Sequence, residues 1–314
     1  MKILVTGGAG YIGSAAVKKL IELGHNVLVV DNLSKGKKEL VDDRAKLLIG
    51  DLVNKDFINS ALQGSRVDAV MHFAAYKAVG ESMEQPVKYS DNINGFVNLL
   101  NAMVGSNVKK IIFSSTAAMY GQPKYVPVDE EHPLDPQNFY GYTKLAGENL
   151  LNWYSRLKGI NGISLRYFNI AGDTGLNYID PEAQNVFPII MEALAGKSDK
   201  FIIFGDDYDT PDGTCIRDYV GINDLVEAHI KALALNKSEI INIGTSKGVS
   251  VLELVNEFSR TYGKDVPYEI GARREGDVAK LTASYNKAKK LLGWEPTESL
   301  QDMIQSTIKA YNRS

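Results

Sequence analysis

The sequence predicts an α/β fold, a doubly wound parallel sheet with a smaller second α/β region, on three observations. Short β-branched apolar runs alternate with helix-period stretches through the first half. A glycine cluster follows the first run at once. After about Gly172 the rhythm breaks into a loop-rich stretch carrying Gly175, Pro181, Pro188, Gly205, Pro211 and Gly213. The runs at residues 3–5, 27–30, 47–49, 69–73, 111–113 and 163–165 read as buried strands, bounded by Gly, Asp or Ser. Between the first two, Ile12, Ala16, Leu20 and Leu23 share a helix face, and Gly24 supplies the stop. Strict alternation of strand and helix implies right-handed crossovers and a sheet covered on both faces. The expected division is residues 1–172 as the first domain and 173–314 mainly as the second. A segment at about 217–245 returns to the first: Leu225, Ala228, Ile230 and Ala232 mark a helix, and residues 240–243 a strand.

Composition excludes several function classes. The 314 residues are 44% hydrophobic, and 35 Lys+Arg against 38 Asp+Glu leave a net charge of -3. Nucleic-acid or membrane-surface binding needs a concentrated positive excess, so neither partner is expected. Cys215 is the one cysteine, which rules out an intrachain disulfide and points to a reducing compartment. His25, His72, His132 and His229 lack ligand spacing, and no metal is predicted. No run approaches the roughly 18 apolar residues of a membrane span, and the apolar start is too short for a signal peptide. The chain reads as cytoplasmic.

The first strand runs into Gly7-Gly8-Ala9-Gly10-Tyr11-Ile12-Gly13. Gly8, Gly10 and Gly13 fit G-x-G-x-x-G, and Gly7, Gly10 and Gly13 fit G-x-x-G-x-x-G. Such glycines turn the chain tightly, admit a pyrophosphate against bare backbone, and bring the helix close to the sheet, while the helix N-terminus offers N–H donors. Strand before and helix after make this a Rossmann-type dinucleotide site. Asp31, at the end of the second strand, can accept from both adenosine ribose hydroxyls and repels a 2′-phosphate, favouring NAD. Lys35, Lys37 and Lys38 follow and read as a solvated basic loop. Asp51 is placed either for the adenine amino group or as an ordinary turn residue after Gly50.

Tyr140 and Lys144 form Y-x-x-x-K at the start of a predicted helix whose apolar stripe takes in Ala146, Leu150, Trp153 and Leu157. Residues four apart share a face, so the ammonium can sit beside the phenol. A nearby cation and the helix dipole both lower a tyrosine pKa from about 10. Tyr142 lies on another face and is assigned to packing. Upstream, a strand ends Ser114-Ser115-Thr116, and the Thr116 hydroxyl can either share a substrate proton with the phenol or cap a turn.

At these residues the chain resembles the extended short-chain dehydrogenase/reductase family, and within it the UDP-glucose (UDP-galactose) 4-epimerases. The resemblance runs through Val5 to Ser14, Asp31-Asn32-Leu33, His72 to Ala75 with Lys77 to Ser82, Phe113 to Gly121, Arg166 to Asn169, Ile203 to Gly205 with Asp212 to Thr214, Arg217-Asp218-Tyr219, and Arg273 to Asp277. It implies reversible 4-epimerisation of UDP-galactose and UDP-glucose through a 4-keto intermediate with tightly bound NAD, in a homodimer. It assigns Tyr140 as acid/base, Lys144 to the nicotinamide ribose and Thr116 as hydroxyl partner. The cofactor would meet Gly7, Gly10, Tyr11, Ile12, Gly13, Asp31, Asn32, Asp51, Leu52, Phe73, Ala74, Ala75, Lys77, Asn92, Ser114 and Phe168. The UDP-hexose would meet Asn169, Asn185, Val186, Phe187, Ile202, Ile203, Phe204, Arg217, Arg274, Asp277 and Leu281. Arg forks suit a diphosphate independently of the resemblance.

Gly221, where relatives often carry His, and Thr282-Ala283-Ser284, where they usually carry Tyr-Ala-Asp, depart from the pattern, as does the variable Leu281. A 4,6-dehydratase or decarboxylase on the same fold would need an added acid and base, whereas Ala117 and Ala118 follow Thr116. A non-catalytic NAD-sensing protein is the remaining alternative, and the intact Tyr140, Lys144 and Thr116 count against it.

Overall fold

The structure is a computed structural model that describes residues 1–178, 185–274 and 276–313. Pro181 of the loop-rich stretch and Glu275 of the last motif lie outside these residues. The first half runs β1 (Lys2–Thr6), α1 (Tyr11–Glu22), β2 (Asn26–Asp31), β3 (Lys46–Ile49), α2 (Lys55–Leu62), β4 (Ala69–His72), α3 (Val79–Glu84), α4 (Pro86–Gly105), β5 (Lys110–Thr116), α5 (Phe139–Lys158) and β6 (Asn161–Tyr167). There follow β7 (Asn169–Ala171), α6 (Val186–Leu194), β8 (Phe201–Phe204), β9 (Ile216–Gly221), α7 (Ile222–Ala232), β10 (Glu239–Ile243), β11 (Gly248–Ser250), α8 (Val251–Tyr262), β12 (Tyr268–Gly271), β13 (Lys280–Leu281), α9 (Asn286–Leu292) and α10 (Leu300–Tyr311).

Seven strands form one parallel sheet in the order β10-β6-β5-β4-β1-β2-β3. Period-2 alternation decides which side chain serves which face. Ile3, Val5, Val27, Val29, Ala69 and Met71 pack with Val17 and Leu20 of α1 and Leu225 and Val226 of α7. Leu4, Leu28, Val30 and Val70 point the other way, onto Ile58 of α2, Phe96 and Leu99 of α4 and Leu151 of α5. Strand β10 lies at the sheet edge beside β6, so the chain returns to this sheet after β9 and α7. A third core joins α6, β8, α8 and α10 through Phe187, Ile190, Phe201, Phe258 and Ile304. In the small sheet β9 is central, antiparallel to β11 and parallel to β13 and β7, while β12 pairs with β8.

Four readings of local structure need correction. No α-helix connects β2 to β3; a 3₁₀ turn at Lys38–Leu40 stands there, because residues 32–45 are polar and carry no helix-period apolar set. β3 is therefore an edge strand, and Ile49 is 59% exposed rather than buried. Leu23 lies past the end of α1 and is exposed, although Gly24, at φ +79°, does stop the helix. On α5 the buried face carries Thr143, Lys144, Gly147, Glu148 and Leu151. The apolar stripe that includes Trp153 (54% exposed) and Leu157 (68% exposed) faces outward.

The buried face of α5 holds an ion pair. Arg166 of β6 donates from Nη2 to Glu148 Oε2 (2.6 Å) and from Nε to Oε1 (3.0 Å), and Ser115 Oγ donates to Oε1 (2.6 Å). Arg166 Nη1 also reaches the Tyr120 hydroxyl, which donates to Asn242 Oδ1 (2.6 Å) on β10. Every polar atom added to this interior needs a partner, so removing one member strands the other. We expect Arg166→Met to cost about 3–5 kcal/mol, and the double variant Glu148→Met/Arg166→Met to recover most of it. Urea unfolding of the three proteins checks this; a double variant as unstable as the single would mean the pair is not the unit.

Candidate active site

The strand order changes direction at β1, which has β2 on one side and β4 on the other. Loops leaving β1 and β4 therefore part to opposite faces and open a crevice at the strand ends. In that crevice the glycine loop is fixed by close approach. A Cβ on Gly7, which sits at φ +71°, would lie 2.6 Å from Ala74 N, and one on Gly13 would lie 2.0 Å from Gly7 O. Gly8 packs on Val29, while a Cβ on Gly10 would meet nothing nearer than Gly7 O at 3.4 Å. Of the two glycine registers, the positive φ and the tightest backbone contacts fall on Gly7 and Gly13, leaving bare backbone at Gly10 beside the start of α1. This cradle fits a pyrophosphate.

Of the groups read as cofactor contacts, Asp31, Phe73 and Ala74 touch the glycine loop itself. Asp31 accepts from Ala9 N (3.0 Å) and Leu33 N (2.8 Å), so one carboxylate ties the glycine loop to the end of β2. Asn32 Nδ2 donates to Asp51 Oδ2 (2.7 Å), bringing those two together. Phe73 and Ala74 donate their amides to Thr6 O, at 3.0 and 3.2 Å. Asn92 accepts from Tyr76 N (2.8 Å) and donates to Tyr76 O (2.9 Å), so it clamps the loop carrying Ala75 and Lys77, both exposed. Leu52 is buried against Gly95. Tyr11 donates its hydroxyl to Gly172 O, and Ile12 is half-buried. Phe168 is buried with Ala117, Tyr120, Val128 and Ala283.

Asn138 caps α5 by accepting from Gly141 N (2.8 Å), which sets Tyr140 in the first turn. Tyr140 N donates to Ser82 Oγ (3.1 Å). Burial pushes the Tyr140 phenol up, and the hydrogen bond with the Thr116 hydroxyl works against that. The expected lowering by Lys144 is not what dominates: the ammonium is turned onto Ser114 O (2.8 Å), over the Phe113 ring, at the end of the neighbouring strand. Burial pushes Lys144 down to about 7, and Glu148, one turn along, opposes it. Of the two roles open to Thr116, the structure shows the cap: its Oγ1 accepts from Ala118 N (3.2 Å) at the start of a 3₁₀ turn. Tyr142, assigned to packing, is exposed and stacks only on Phe139 among the described rings.

On the facing side Asn169 Nδ2 reaches Asp218 O (3.4 Å). Asn185 caps α6 and donates to Ile170 O (2.6 Å). Val186 is half-buried, but the Phe187 ring belongs to the third core and is buried. On β8 the Ile203 side chain is buried, Ile202 and Phe204 are half-buried, and Arg274 stacks on Phe204 at 3.7 Å. Arg217 donates to Val278 O (2.7 Å) and meets Asp277 Oδ1 (3.3 Å). Leu281, paired in register with Arg217, packs against the cluster that contains Ala117 and Phe168.

Residues 3–244 match the family described as the NAD dependent epimerase/dehydratase family. The chain belongs to that family. It is 46% identical over 319 residues to a UDP-glucose 4-epimerase of Lactobacillus helveticus, covering 98% of this chain and 96% of that one. The UDP-glucose-4-epimerase of Stenotrophomonas maltophila, solved with bound NAD and formylated UDP-arabinopyranose, superposes with a TM-score of 0.96 at 37% identity, covering 100% of this chain and 98% of that one. The UDP-Glc/GlcNAc 4-epimerase of Campylobacter jejuni gives 0.88 at 38% identity over 100% and 99%.

For a member of the NAD dependent epimerase/dehydratase family, three residues near the site carry no role in the sequence reading. Glu148 sits on the buried face of α5, one turn past Lys144; an acid in phase with Tyr140 and Lys144 was the available signal. Tyr167 shares a hydrogen bond with Ser114 Oγ, and Tyr140 is among the groups that push its phenol up, after burial. His229 lies 4.7 Å from the Phe73 ring, and burial brings it down to about 4. His229 was not legible, because α7 returns to the sheet from a distant part of the chain, and the Tyr167 contact depends on the pairing of β6 with β5. The glycine geometry gives a test. Gly13→Ala should lower Tm and abolish NAD carriage, whereas Gly10→Ala should change stability by less than about 1 kcal/mol. Thermal melts and the NAD content of the purified proteins measure both; equal losses of Tm would contradict the packing described.

Proposed function

We propose that this chain interconverts UDP-galactose and UDP-glucose by reversible 4-epimerisation, retaining NAD throughout. The observation that carries the reading is Tyr140 in the first turn of α5, with Lys144 one turn along on the same helix and bonded to the end of β5, in a fold whose glycine loop leaves bare backbone for a pyrophosphate. NAD held there would supply reversible hydride acceptance at the sugar C4, so that the redox change cancels over the reaction. Gly7, Gly10, Gly13 and the start of α1 hold the pyrophosphate, Asp31 the adenosine ribose, and Asn32 with Asp51 the adenine end. Tyr140 takes the proton of the sugar C4 hydroxyl and returns it, with Thr116 sharing that proton. Lys144 supports the phenolate as a cation. Arg217, Arg274, Asp277, Phe204, Asn169 and Asn185 hold the UDP part, so the 4-keto sugar can turn over while tethered.

Residues 1–172 with about 217–245 serve the cofactor, and the rest of 173–314 mainly serves the UDP-sugar. The absence of an acid and base at Ala117 and Ala118 supports epimerisation over dehydration. Trp153 and Leu157 on α5, with Val87 (84% exposed) on the adjoining α4, support pairing of two copies through these helices. Among the described residues no helix is long and apolar enough to cross a membrane.

The deciding experiment incubates purified protein with UDP-galactose and no added NAD, then looks for UDP-glucose; no conversion would defeat the proposal. Denatured protein should release NAD rather than NADP. Tyr140→Phe should lose about 10²- to 10⁴-fold in kcat while still carrying NAD. Sugar choice is tested separately at Leu281, beside the Ala117 cluster. A single pocket contact is worth about 1–3 kcal/mol, so UDP-galactose should be preferred over UDP-N-acetylgalactosamine without excluding it. Leu281→Ser should narrow the gap in kcat/KM; an unmoved ratio would place residue 281 outside the pocket.

A further inference from the structure

We propose that Lys37 latches a clasp, formed by residues 172–178, that keeps the dinucleotide from leaving. The proposal rests on the retained NAD of the reading above. Two segments far apart in sequence meet at the glycine loop. From one side Lys37 N donates to Ala9 O (2.9 Å), and Gly36 sits so close to Ala9 that a Cβ there would fall 2.8 Å from the Ala9 Cβ. From the other, Gly172 O accepts the Tyr11 hydroxyl, and Thr174 O accepts from Lys18 Nζ (2.6 Å). The Lys37 ammonium then lies 5.0 Å from the centroid of the Tyr178 ring. The contacts thus close a ring around Ala9 to Tyr11, where the pyrophosphate would lie.

The segment is stiff enough to act as one piece. Asp173 accepts from Gly175 N (2.6 Å) and Asn177 N (3.2 Å), and its own amide donates to Ser306 Oγ (3.1 Å) on α10. Tyr178 is buried and offers a fixed ring face, while the Lys37 ammonium above it stays exposed, so the contact is of the weaker, solvated kind. Of the basic residues following Asp31, Lys37 is thereby committed to a ring face. That gives it a task other than pairing with a 2′-phosphate. A redox-neutral reaction needs such a device: cofactor lost between the outward and return hydride transfers would strand the keto sugar.

The test uses the holoenzyme as purified. Release of bound NAD is followed during a chase with excess etheno-NAD, a fluorescent analogue, for wild type, Lys37→Met, Tyr178→Leu and the double variant. Lys37→Met keeps most of the aliphatic stem and removes the charge. It should release NAD about two- to fivefold faster, the range of an exposed cation–π contact, with kcat at saturating NAD unchanged. The double variant should release no faster than the faster single. Should Lys37→Met melt early, Lys18→Ala, which removes the Thr174 anchor, provides the same readout. Release at the wild-type rate in both lysine variants overturns the clasp. Wild-type protein that carries no dinucleotide instead overturns the reading on which it rests.

Discussion

Because β1 lies between β2 and β4, the chain must leave the sheet toward opposite faces on its two sides, and this one topological constraint places the chemistry. The crevice so formed has a floor of strand ends. Thr6 at the end of β1 holds the Phe73 and Ala74 amides, and Asp31 at the end of β2 holds the Ala9 amide. Each contact fixes a backbone that a ligand would touch, so the recognition surface is rigid before anything binds. α5 then sets Tyr140 opposite the end of β5, with Ser82 of α3 and Thr116 on either side of it. A phenol on a free loop would have to pay for its own ordering.

Burial alone works against both groups of the Tyr140/Lys144 pair, raising the proton affinity of the phenol and lowering that of the amine. The fold answers from several directions at once. A hydroxyl from β5 and the N-terminus of α5 favour the phenolate. Glu148 favours the cation, and Ser114 O gives it a hydrogen bond. On other elements Lys144 faces His72 of β4, held well below its usual range by burial and then by this cation, and Arg166 of β6 pairs with Glu148. His72 stays neutral and contributes nothing to the charge balance, stacked against Phe96 and Phe113, which also contact each other.

What could be read from the sequence followed from local periodicity. The glycine loop, the strand ends at Asp31 and Thr116, and the i,i+4 relation of Tyr140 and Lys144 each lie within one element or one turn of it. Misreadings arose where the environment of an element, not its pattern, decides burial. β3 has the composition of a central strand but lies at the edge, and the stripe through Trp153 and Leu157 has helical period but faces outward. Contacts made by long-range return, such as His229 against Phe73 or Tyr120 with Asn242, have no local signature at all.

The departures from the family pattern have physical explanations of the same long-range kind. A Cβ on Gly221 would lie 2.0 Å from Glu298 Oε2, and that carboxylate accepts from Asn223 N (3.0 Å) at the start of α7. A residue from far along the chain therefore caps this helix, and a large side chain at position 221 would displace it. Ala283 is similarly confined, since Gly244 approaches it closely and its amide donates to Asp218 (3.0 Å). Burial pushes Asp218 up to about 6, and donors from Ala283, Thr245 and Ser246 oppose that rise. The carboxylate thereby ties β9, which carries Arg217, to the turn after β10 and to the strand that carries Leu281. Packing therefore constrains these positions: Gly221 leaves room for Glu298, and Ala283 through Asp218 keeps β9 and the strand carrying Leu281 in register.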